Sequence, residues 1–250
     1  VSPLSAGATR YVLEQRLGLP VAAVRTARVA RADLDAFDVI IAPDGNPAGA
    51  LGSSGQAALA RFVRDGGVLV AFGEALAAMS RGDNALFATE REVVLGGEPA
   101  KDEERDGTAP GVALESEDEY LAAIADGDRA PDTLPGALLN TAADANHFLA
   151  AGYDDAAPVV VADGNLVLTP LSRGDGTNVI RFAGPSELVA SGHVWDENRR
   201  QLAFKPYLMA QPNGQGLAIG FVHDPSVRGY LDGLDLLLAN AVLIAPSRVR

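Results

Sequence analysis

The sequence contains no cysteine, and this absence excludes several kinds of chemistry at once. Disulfide bonds, cysteine-ligated zinc and thiol nucleophiles all require a residue that the chain does not have. The three histidines, His147, His193 and His223, are far apart in sequence, and none stands in a His-x-x-Glu or His-Glu-x-x-His pattern. We therefore expect no metal site and no cofactor within this chain.

Positive charge is also scarce. The formal net charge is −13 at pH 7 and the isoelectric point is about 4.6. Non-specific binding of nucleic acid requires a basic surface that displaces counterions, and anionic membranes attract basic surfaces for the same reason. No apolar run approaches the roughly 18 residues of a transmembrane helix. We therefore expect neither a nucleic acid nor a membrane as a partner.

What the chain does have is enough apolar residues for a large core. It has 250 residues, of which 48% are hydrophobic, and this length and composition fit one domain over residues 1–250. The chain begins at Val1 with neither Met nor a signal peptide. Because a doubly wound domain normally opens with a strand, we expect the first strand to lie upstream of Val1.

The first eighty residues alternate between helix and strand signals. Ser5 is a plausible N-cap for a helix that continues to Leu17. Residues 21–24 predict a short strand, and residues 38–42 form a β-branched run that a Pro-Asp-Gly loop closes. The next helix carries Leu59, Phe62 and Val63 on one face and ends at Gly66. This alternation is typical of an α/β fold with a mostly parallel sheet and flanking helices.

Residues 66–75 are the stretch around which this fold is organised. Five apolar residues follow a double glycine, and helix-forming residues come directly afterwards. A strand that turns sharply into a helix is where a parallel α/β sheet exposes a catalytic nucleophile. Here the turn carries Gly73 and Glu74, without Ser or Cys. The sequence therefore predicts the turn that normally carries a nucleophile, but no nucleophilic side chain is present in it.

An acidic insertion is expected at about residues 98–133. Residues 98–132 contain twelve acidic and three basic residues, a net charge of −9. This composition predicts a solvated, partly disordered segment with one short helix near residues 116–124. A calcium loop is the alternative, although the alternating Asp spacing of such loops is absent.

The C-terminal half is rich in strand signals. Residues 159–168 predict a hairpin with a tight turn at Asp163-Gly164, and residues 178–183 predict a further strand. Residues 201–210 and 216–222 predict a second hairpin, and a helix through residues 231–242 closes the chain.

Five residues at predicted strand ends are candidates for a cleft. His223 and Asp224 end a strand and could supply a general base and its orienting carboxylate, or form an ordinary turn. Glu74 could be a general base or ligand contact, or only a first-turn acid of its helix. Asp44 and Gly45 follow the neighbouring strand and should lie near the same cleft.

Two further residues complete the ligand-binding prediction. Gly73 belongs to the cleft because it forms the crest of the turn. His193 precedes the only tryptophan, Trp195, and could line a small pocket or belong to a packed loop.

The strand, turn and helix around residues 72–74, together with the strand end at residues 220–225, resemble the class I glutamine amidotransferase-like fold, a flavodoxin-like architecture. In active amidotransferases the turn carries Cys within Gly-x-Cys-x-Gly, and the base lies in a His-Pro-Glu strand end. Gly73 occupies the Cys position here, and His223-Asp224-Pro225 replaces the second motif. The resemblance therefore implies the fold without amidotransferase activity.

Several segments resemble, more narrowly, the C-terminal domain that follows the catalytic domain of some secreted bacterial zinc carboxypeptidases of the carboxypeptidase A-like family. These segments are residues 2–11, 37–45, 134–137, 191–195 and 224–228. The resemblance implies a periplasmic or extracellular accessory domain that packs against an upstream peptidase domain of the same polypeptide or presents substrate to it. Zinc would be bound only in that peptidase domain.

Three functions remain open at this point. The first is this non-catalytic accessory domain, and in that case the chain is not itself an enzyme. The second is a module that binds small polar ligands or cell-wall peptides in the strand-end cleft. The third is a hydrolase in which Glu74 or His223 activates a water nucleophile.

Overall fold

The computed structural model describes residues 1–92, 116, 133–153 and 157–249. The predicted acidic insertion, its short helix and the calcium-loop alternative lie outside these ranges, apart from Ser116 and the last residue of the insertion. The described residues form nine strands in two sheets, with helices packed against the larger sheet.

The larger sheet has six strands in the order β1-β2-β9-β8-β6-β4. Their bounds are β1 Val39–Ala42, β2 Val68–Phe72, β4 Thr141–Ala143, β6 Thr177–Phe182, β8 Pro206–Asn213 and β9 Gly216–Phe221. The strands β1, β2 and β9 are parallel, whereas β8, β6 and β4 are joined in antiparallel pairs.

The prediction of an α/β fold with a β-rich C-terminal half is confirmed, but the sheet is mixed and not mostly parallel. The cause is the hairpin of β8 and β9, whose strands are connected only by residues 214–215. Such a short connection joins antiparallel neighbours, whereas parallel strands need a long crossover. The remaining strands extend the sheet antiparallel from β8.

The second sheet has three strands in the order β5-β3-β7, with both pairs antiparallel. Their bounds are β3 Leu134–Leu139, β5 Val160–Gly164 and β7 Val189–Gly192. The predicted hairpin over residues 159–168 is wrong, because β5 pairs with β3 and not with residues 166–168. Leu168 instead forms an isolated bridge with Arg91, and Asp163-Gly164 ends β5.

The α-helices of the described residues have the bounds α1 Pro3–Tyr11, α2 Ala48–Arg64, α3 Gly73–Met79, α4 Asp196–Leu202 and α5 Asp232–Ala239. Helices α2 and α3 pack on one face of β2, and α5 packs on the other. Wider helical turns continue α1 over Val12–Arg16 and α5 over Asn240–Ile244. Short 3₁₀ turns cover Thr26–Arg31, Leu34–Ala36, Phe148–Ala150, Val227–Gly229 and Ala245–Arg248. Within the part of the chain that the structure describes, no helix combines the length and the apolar character needed to cross a membrane.

The strand β2 lies at the centre of the core, and all five of its side chains are fully buried. Val68, Val70 and Phe72 pack in a cluster that includes apolar residues of the helical turn Val12–Arg16, of α5 and of the second sheet. Leu69 and Ala71 point to the other face and pack with residues of α2 and α3. Burial on both faces explains the uninterrupted apolar run, since a strand exposed on one face would alternate.

Two predictions near the N-terminus are wrong. The N-cap of α1 is Ser2, whose Oγ accepts a hydrogen bond from the Ser5 backbone N–H at 3.3 Å. Ser5 lies inside the helix and is buried. Residues 21–24 are not a strand, because no described strand pairs with them and Val24 is exposed.

Candidate functional site

A cleft of about 350 Å³ lies at the carboxyl ends of the three parallel strands. Asp44 follows β1, Gly73 and Glu74 follow β2, and His223 and Asp224 follow β9, and all five line this cleft. The register explains the arrangement, because Phe72, the last residue of β2, pairs with Phe221, the last residue of β9. Parallel strands that end together deliver their following residues to one edge of the sheet.

The turn after β2 has the conformation of a nucleophile-bearing turn but has no room for a side chain. Gly73 adopts a φ of +51°, in the left-handed region that L side chains rarely occupy. A Cβ added to Gly73 would lie 2.2 Å from Oδ1 of Asp44. The same oxygen accepts a hydrogen bond from the backbone N–H of Glu74 at 2.8 Å. The Asp44 carboxylate therefore fills the space in which a nucleophilic side chain would begin.

Glu74 reaches the cleft, but its carboxylate is held by an arginine. Its Oε1 and Oε2 accept hydrogen bonds from Arg91 Nη2 and Nη1 at 2.8 and 3.2 Å. Arg91 also donates to Oδ1 of Asn165 at 2.8 Å. A carboxylate fixed in this way would have to leave its arginine before it could accept a proton from water, which disfavours Glu74 as a general base.

His223 is buried, with 6% of its surface exposed, and its ring lies edge-on to Phe182 at a centroid distance of 6.0 Å. Its Nε2 has no hydrogen-bond partner among the described residues. Burial lowers the pKa of His223 to about 4, although the charges of Asp163 and Asp44 act in the opposite direction. The imidazole is therefore neutral at pH 7.

Asp224 joins the cleft to α1 and does not orient His223. Its Oδ1 accepts hydrogen bonds from the backbone N–H and from Oγ of Ser226, at 2.8 and 2.7 Å. Ser226 Oγ lies 3.0 Å from Oγ1 of Thr9 on α1. Burial raises the pKa of Asp224, while hydrogen bonds from Ser5 and Ser226 oppose the shift. The described residues show no hydrogen bond between Asp224 and His223, so the base and its orienting carboxylate are not assembled.

Two predicted ligand-binding residues do not line the cleft. Gly45 is not among the lining residues and packs against the N-terminus, since a Cβ there would lie 2.7 Å from the backbone nitrogen of Ser2. His193 follows β7 in the smaller sheet, where it is exposed and lies edge-on to Trp195 at 4.4 Å. His193 therefore contacts Trp195, its neighbour in sequence, but it does not line the cleft.

Sequence reasoning missed five polar residues of the lining: Ser2, Ser5, Asp163, Asn165 and Arg228. Asp163-Gly164 was interpreted as a hairpin turn, and this interpretation concealed that Asp163 ends a strand facing the cleft. Arg228 has a φ of +50°, which is uncommon for a residue with a side chain and leaves no clear signal in sequence. In the described ranges, no three His, Asp or Glu side chains are grouped closely enough to hold a metal ion.

No protein-family model and no curated protein matches the sequence. Solved structures of similar fold do exist. A ThuA-like protein from Parabacteroides merdae has a TM-score of 0.56 and 12% identity, over 98% of this chain and 85% of that one. A ThuA-like protein from Bacteroides uniformis has a TM-score of 0.51 and 14% identity, over 94% and 80%. A cytoplasmic protein from Salmonella typhimurium has a TM-score of 0.50 and 16% identity, over 96% and 87%. The chain therefore has an α/β fold similar to that of ThuA-like proteins.

Proposed function

We propose that this chain is a non-catalytic domain of the amidotransferase-like type whose strand-end cleft binds a small polar ligand. The observation that carries the proposal is the carboxylate of Asp44 beside Gly73. The turn keeps the positive φ of a nucleophile-bearing turn, yet Asp44 Oδ1 would lie 2.2 Å from a Cβ at that position. Covalent catalysis at the turn would require both a different residue at position 73 and a displaced Asp44.

The fold similarity to ThuA-like proteins supports the amidotransferase-like part of the proposal. The parallel strands, the turn after β2 and the helix α3 are the elements by which the sequence resembles that fold. Because function resides in sites and not in folds, the cleft residues decide the activity.

The binding part of the proposal rests on the polarity of the cleft. Burying the unpartnered Nε2 of His223 costs free energy that folding does not recover. A ligand atom that forms a hydrogen bond with this nitrogen would recover it. Polar groups that converge in a cleft of this size are typical of small-molecule sites.

A hydrolase with Glu74 or His223 as general base is less well supported. Glu74 is bound to Arg91, and His223 has a pKa near 4 and no orienting carboxylate. A general base with so low a pKa is weak at neutral pH.

We further propose that the chain is the accessory domain of a secreted zinc carboxypeptidase. Support comes from the sequence resemblance of five segments distributed over residues 2–228. In this proposal the upstream peptidase domain is the partner and the only holder of zinc, and the protein is periplasmic or extracellular.

The binding function is tested by the thermal stability of the purified chain in the presence of a library of small polar compounds. A ligand that binds the native state raises the unfolding temperature by mass action. We expect at least one compound to do so, and His223→Leu to abolish the shift. His193→Leu is the matched control, because His193 is exposed and outside the cleft. A library without any active compound would contradict the proposal.

The non-catalytic assignment is tested by an esterase and amidase screen. We expect no turnover by the wild-type chain. Turnover that is lost in both Glu74→Ala and His223→Ala would overturn the assignment in favour of a hydrolase.

The peptidase context is tested by sequencing the gene upstream of the Val1 codon. We expect a reading frame that encodes His-x-x-Glu and a later His. An unrelated upstream domain would contradict this part of the proposal without affecting the binding function.

A further inference from the structure

Two opposite charges in the cleft have no partner. Asp163 at the end of β5 and Arg228 in the 3₁₀ turn after β9 both line the cleft and both are exposed. Neither forms a hydrogen bond or an ion pair with a described residue, and they do not pair with each other. Because both line one cleft and form no ion pair with each other, a small molecule that carries both an ammonium and a carboxylate group would supply each of them with a partner.

The other charged residues of the lining are acidic. Asp44, Glu74 and Asp224 also line the cleft, and Arg91 neutralises only Glu74 among them. A concave surface with one predominant sign of charge attracts ligands of the opposite sign. This charge distribution favours a ligand with an ammonium group and disfavours an anion without one.

The buried Nε2 of His223 is a second and independent indication of a ligand. His223 lines the same cleft, is 6% exposed and lacks a partner for this nitrogen among the described residues. A neutral imidazole can donate or accept one hydrogen bond at Nε2. An ammonium or amide group within the cleft would satisfy it.

The size and the apolar lining restrict the ligand further. A cleft of about 350 Å³ is at the small end of ligand pockets. Its described apolar residues are aliphatic: Leu4, Val161, Leu166, Val222 and Val227. The described lining contains no Phe, Tyr or Trp, and the His223 ring is buried, so an aliphatic ligand fits better than a planar one.

We infer that the cleft binds a small zwitterion, a free amino acid or a molecule of the same chemistry, with its ammonium group at Asp163 and its carboxylate at Arg228. His223 lies in the wall beside the ammonium site, and the aliphatic residues contact the side chain of the ligand. This inference rests on the binding function proposed above and specifies its ligand class.

The test is calorimetric titration of the full chain with three matched probes: L-leucine, L-leucinamide and N-acetyl-L-leucine. The amide lacks the carboxylate and the acetyl derivative lacks the ammonium group, while the apolar side chain is unchanged. We expect L-leucine to bind, and each derivative to bind at least tenfold more weakly. Titrations with L-alanine and L-lysine measure how strongly the affinity depends on the side chain of the ligand.

Two variants assign the charges to residues. Asp163→Asn should weaken L-leucine at least tenfold but leave N-acetyl-L-leucine unchanged, because only the ammonium contact is lost. Arg228→Gln should weaken L-leucine and leave L-leucinamide unchanged. Asp83→Asn and Arg81→Gln are matched controls, since both residues are exposed and neither lines the cleft.

The outcomes separate this inference from the proposed function. Equal binding of L-leucine and its acetyl derivative, or no effect of Asp163→Asn, would overturn the zwitterion assignment. The zwitterion assignment would also be overturned if L-leucine, L-alanine and L-lysine all failed to bind while a neutral or anionic library compound bound. Binding of that compound would have to depend on His223. That second result would be consistent with the proposed binding function. If no compound bound at all, both the binding function and the zwitterion assignment would be contradicted.

Discussion

The ends of β2 and β9 lie side by side, yet their polar groups are in opposite situations. At the end of β2, Glu74 is paired with Arg91, and its backbone N–H is bonded to Asp44. At the end of β9, His223 is buried with an unpartnered nitrogen. The first end is internally satisfied, and the second is not.

This difference indicates where function resides. Buried polar groups are almost always hydrogen-bonded in folded proteins, and an unpartnered one requires a specific reason. At the end of β2 the Asp44 carboxylate occupies the space of a catalytic side chain and accepts a hydrogen bond from the Glu74 backbone N–H. At the end of β9 the chain retains a polar group that only a ligand or solvent can satisfy. We therefore expect changes at β2 to alter stability and changes at β9 to alter binding and pH dependence.

The largest effect is expected from Gly73→Ala. The new Cβ would lie 2.2 Å from Asp44 Oδ1 at a backbone φ of +51°. Overpacking and a left-handed conformation each cost of the order of 1–2 kcal/mol, so the free energy of unfolding should fall by about 3 kcal/mol. Urea denaturation followed by circular dichroism measures this loss.

Two controls separate the clash from the backbone strain. Gly82→Ala introduces a side chain at a φ of +78° with no atom within 4 Å, so it should cost about 1 kcal/mol. Combining Gly73→Ala with Asp44→Ala should cost less than the sum of the single changes, because the clash is removed. Additive losses would show that Asp44 does not occupy the nucleophile position.

The second prediction concerns the pH dependence of stability at the end of β9. The pKa of His223 is about 4 in the folded state, whereas an unfolded histidine has about 6.5. As pH falls below 6.5, His223 becomes protonated in the unfolded chain but stays neutral in the folded chain. The free energy of unfolding therefore decreases until about pH 4. The full loss is about 3 kcal/mol, and it should be absent from His223→Leu.

Urea denaturation between pH 7 and pH 4 checks this prediction, with the Leu variant compared at each pH. Burial also lowers the pKa of His147. The variant His147→Gln should therefore reduce the pH dependence of stability in the same pH range, while the part due to His223 remains. The raised pKa of Asp224 acts in the opposite direction, since its protonated form is favoured in the folded state. Parallel curves for wild type and His223→Leu would refute the proposed burial of a neutral imidazole.

The third prediction is that Ser226→Ala lowers the free energy of unfolding by about 2 kcal/mol, because Asp224 loses a hydrogen bond from Ser226 Oγ. The loss should also raise the pKa of Asp224 further, which an NMR titration of its carboxyl carbon would detect. Ser247→Ala is the control, since that hydroxyl is exposed and donates only to the Ile244 carbonyl. An effect below 0.5 kcal/mol, the usual size for a surface change, would mean that Asp224 does not depend on Ser226.

The local elements of the fold could be predicted because they depend on nearby residues. The uninterrupted apolar run of β2 and its following turn, the strand at β1 and the β8–β9 hairpin all have signals within a few residues. The partners of β5 and the antiparallel half of the larger sheet were not predictable in this way. Strand pairing depends on side chains far apart in sequence, as Leu139 beside Val160 illustrates.

The candidate site was predictable to the same extent. Asp44, Gly73, Glu74, His223 and Asp224 follow parallel strands, so a sequence that shows strand ends also indicates which residues meet. Asp163 and Arg228 reach the cleft through tertiary packing, which has no local signature. The sequence also did not indicate that the Glu74 carboxylate is paired with Arg91, because that arginine is 17 residues away.

The smallest effect is expected from Glu74, although it lies at the same edge as His223. Its side chain is 39% exposed and that of Arg91 is 31% exposed, so solvent screens the pair. A double-mutant cycle of Glu74→Gln and Arg91→Gln should give a coupling of about 0.5 kcal/mol at low salt. The coupling should approach zero in 1 M salt. If Glu74→Gln abolished ligand binding while His223→Leu preserved it, the two strand ends would exchange roles, and the satisfied end would be the functional one.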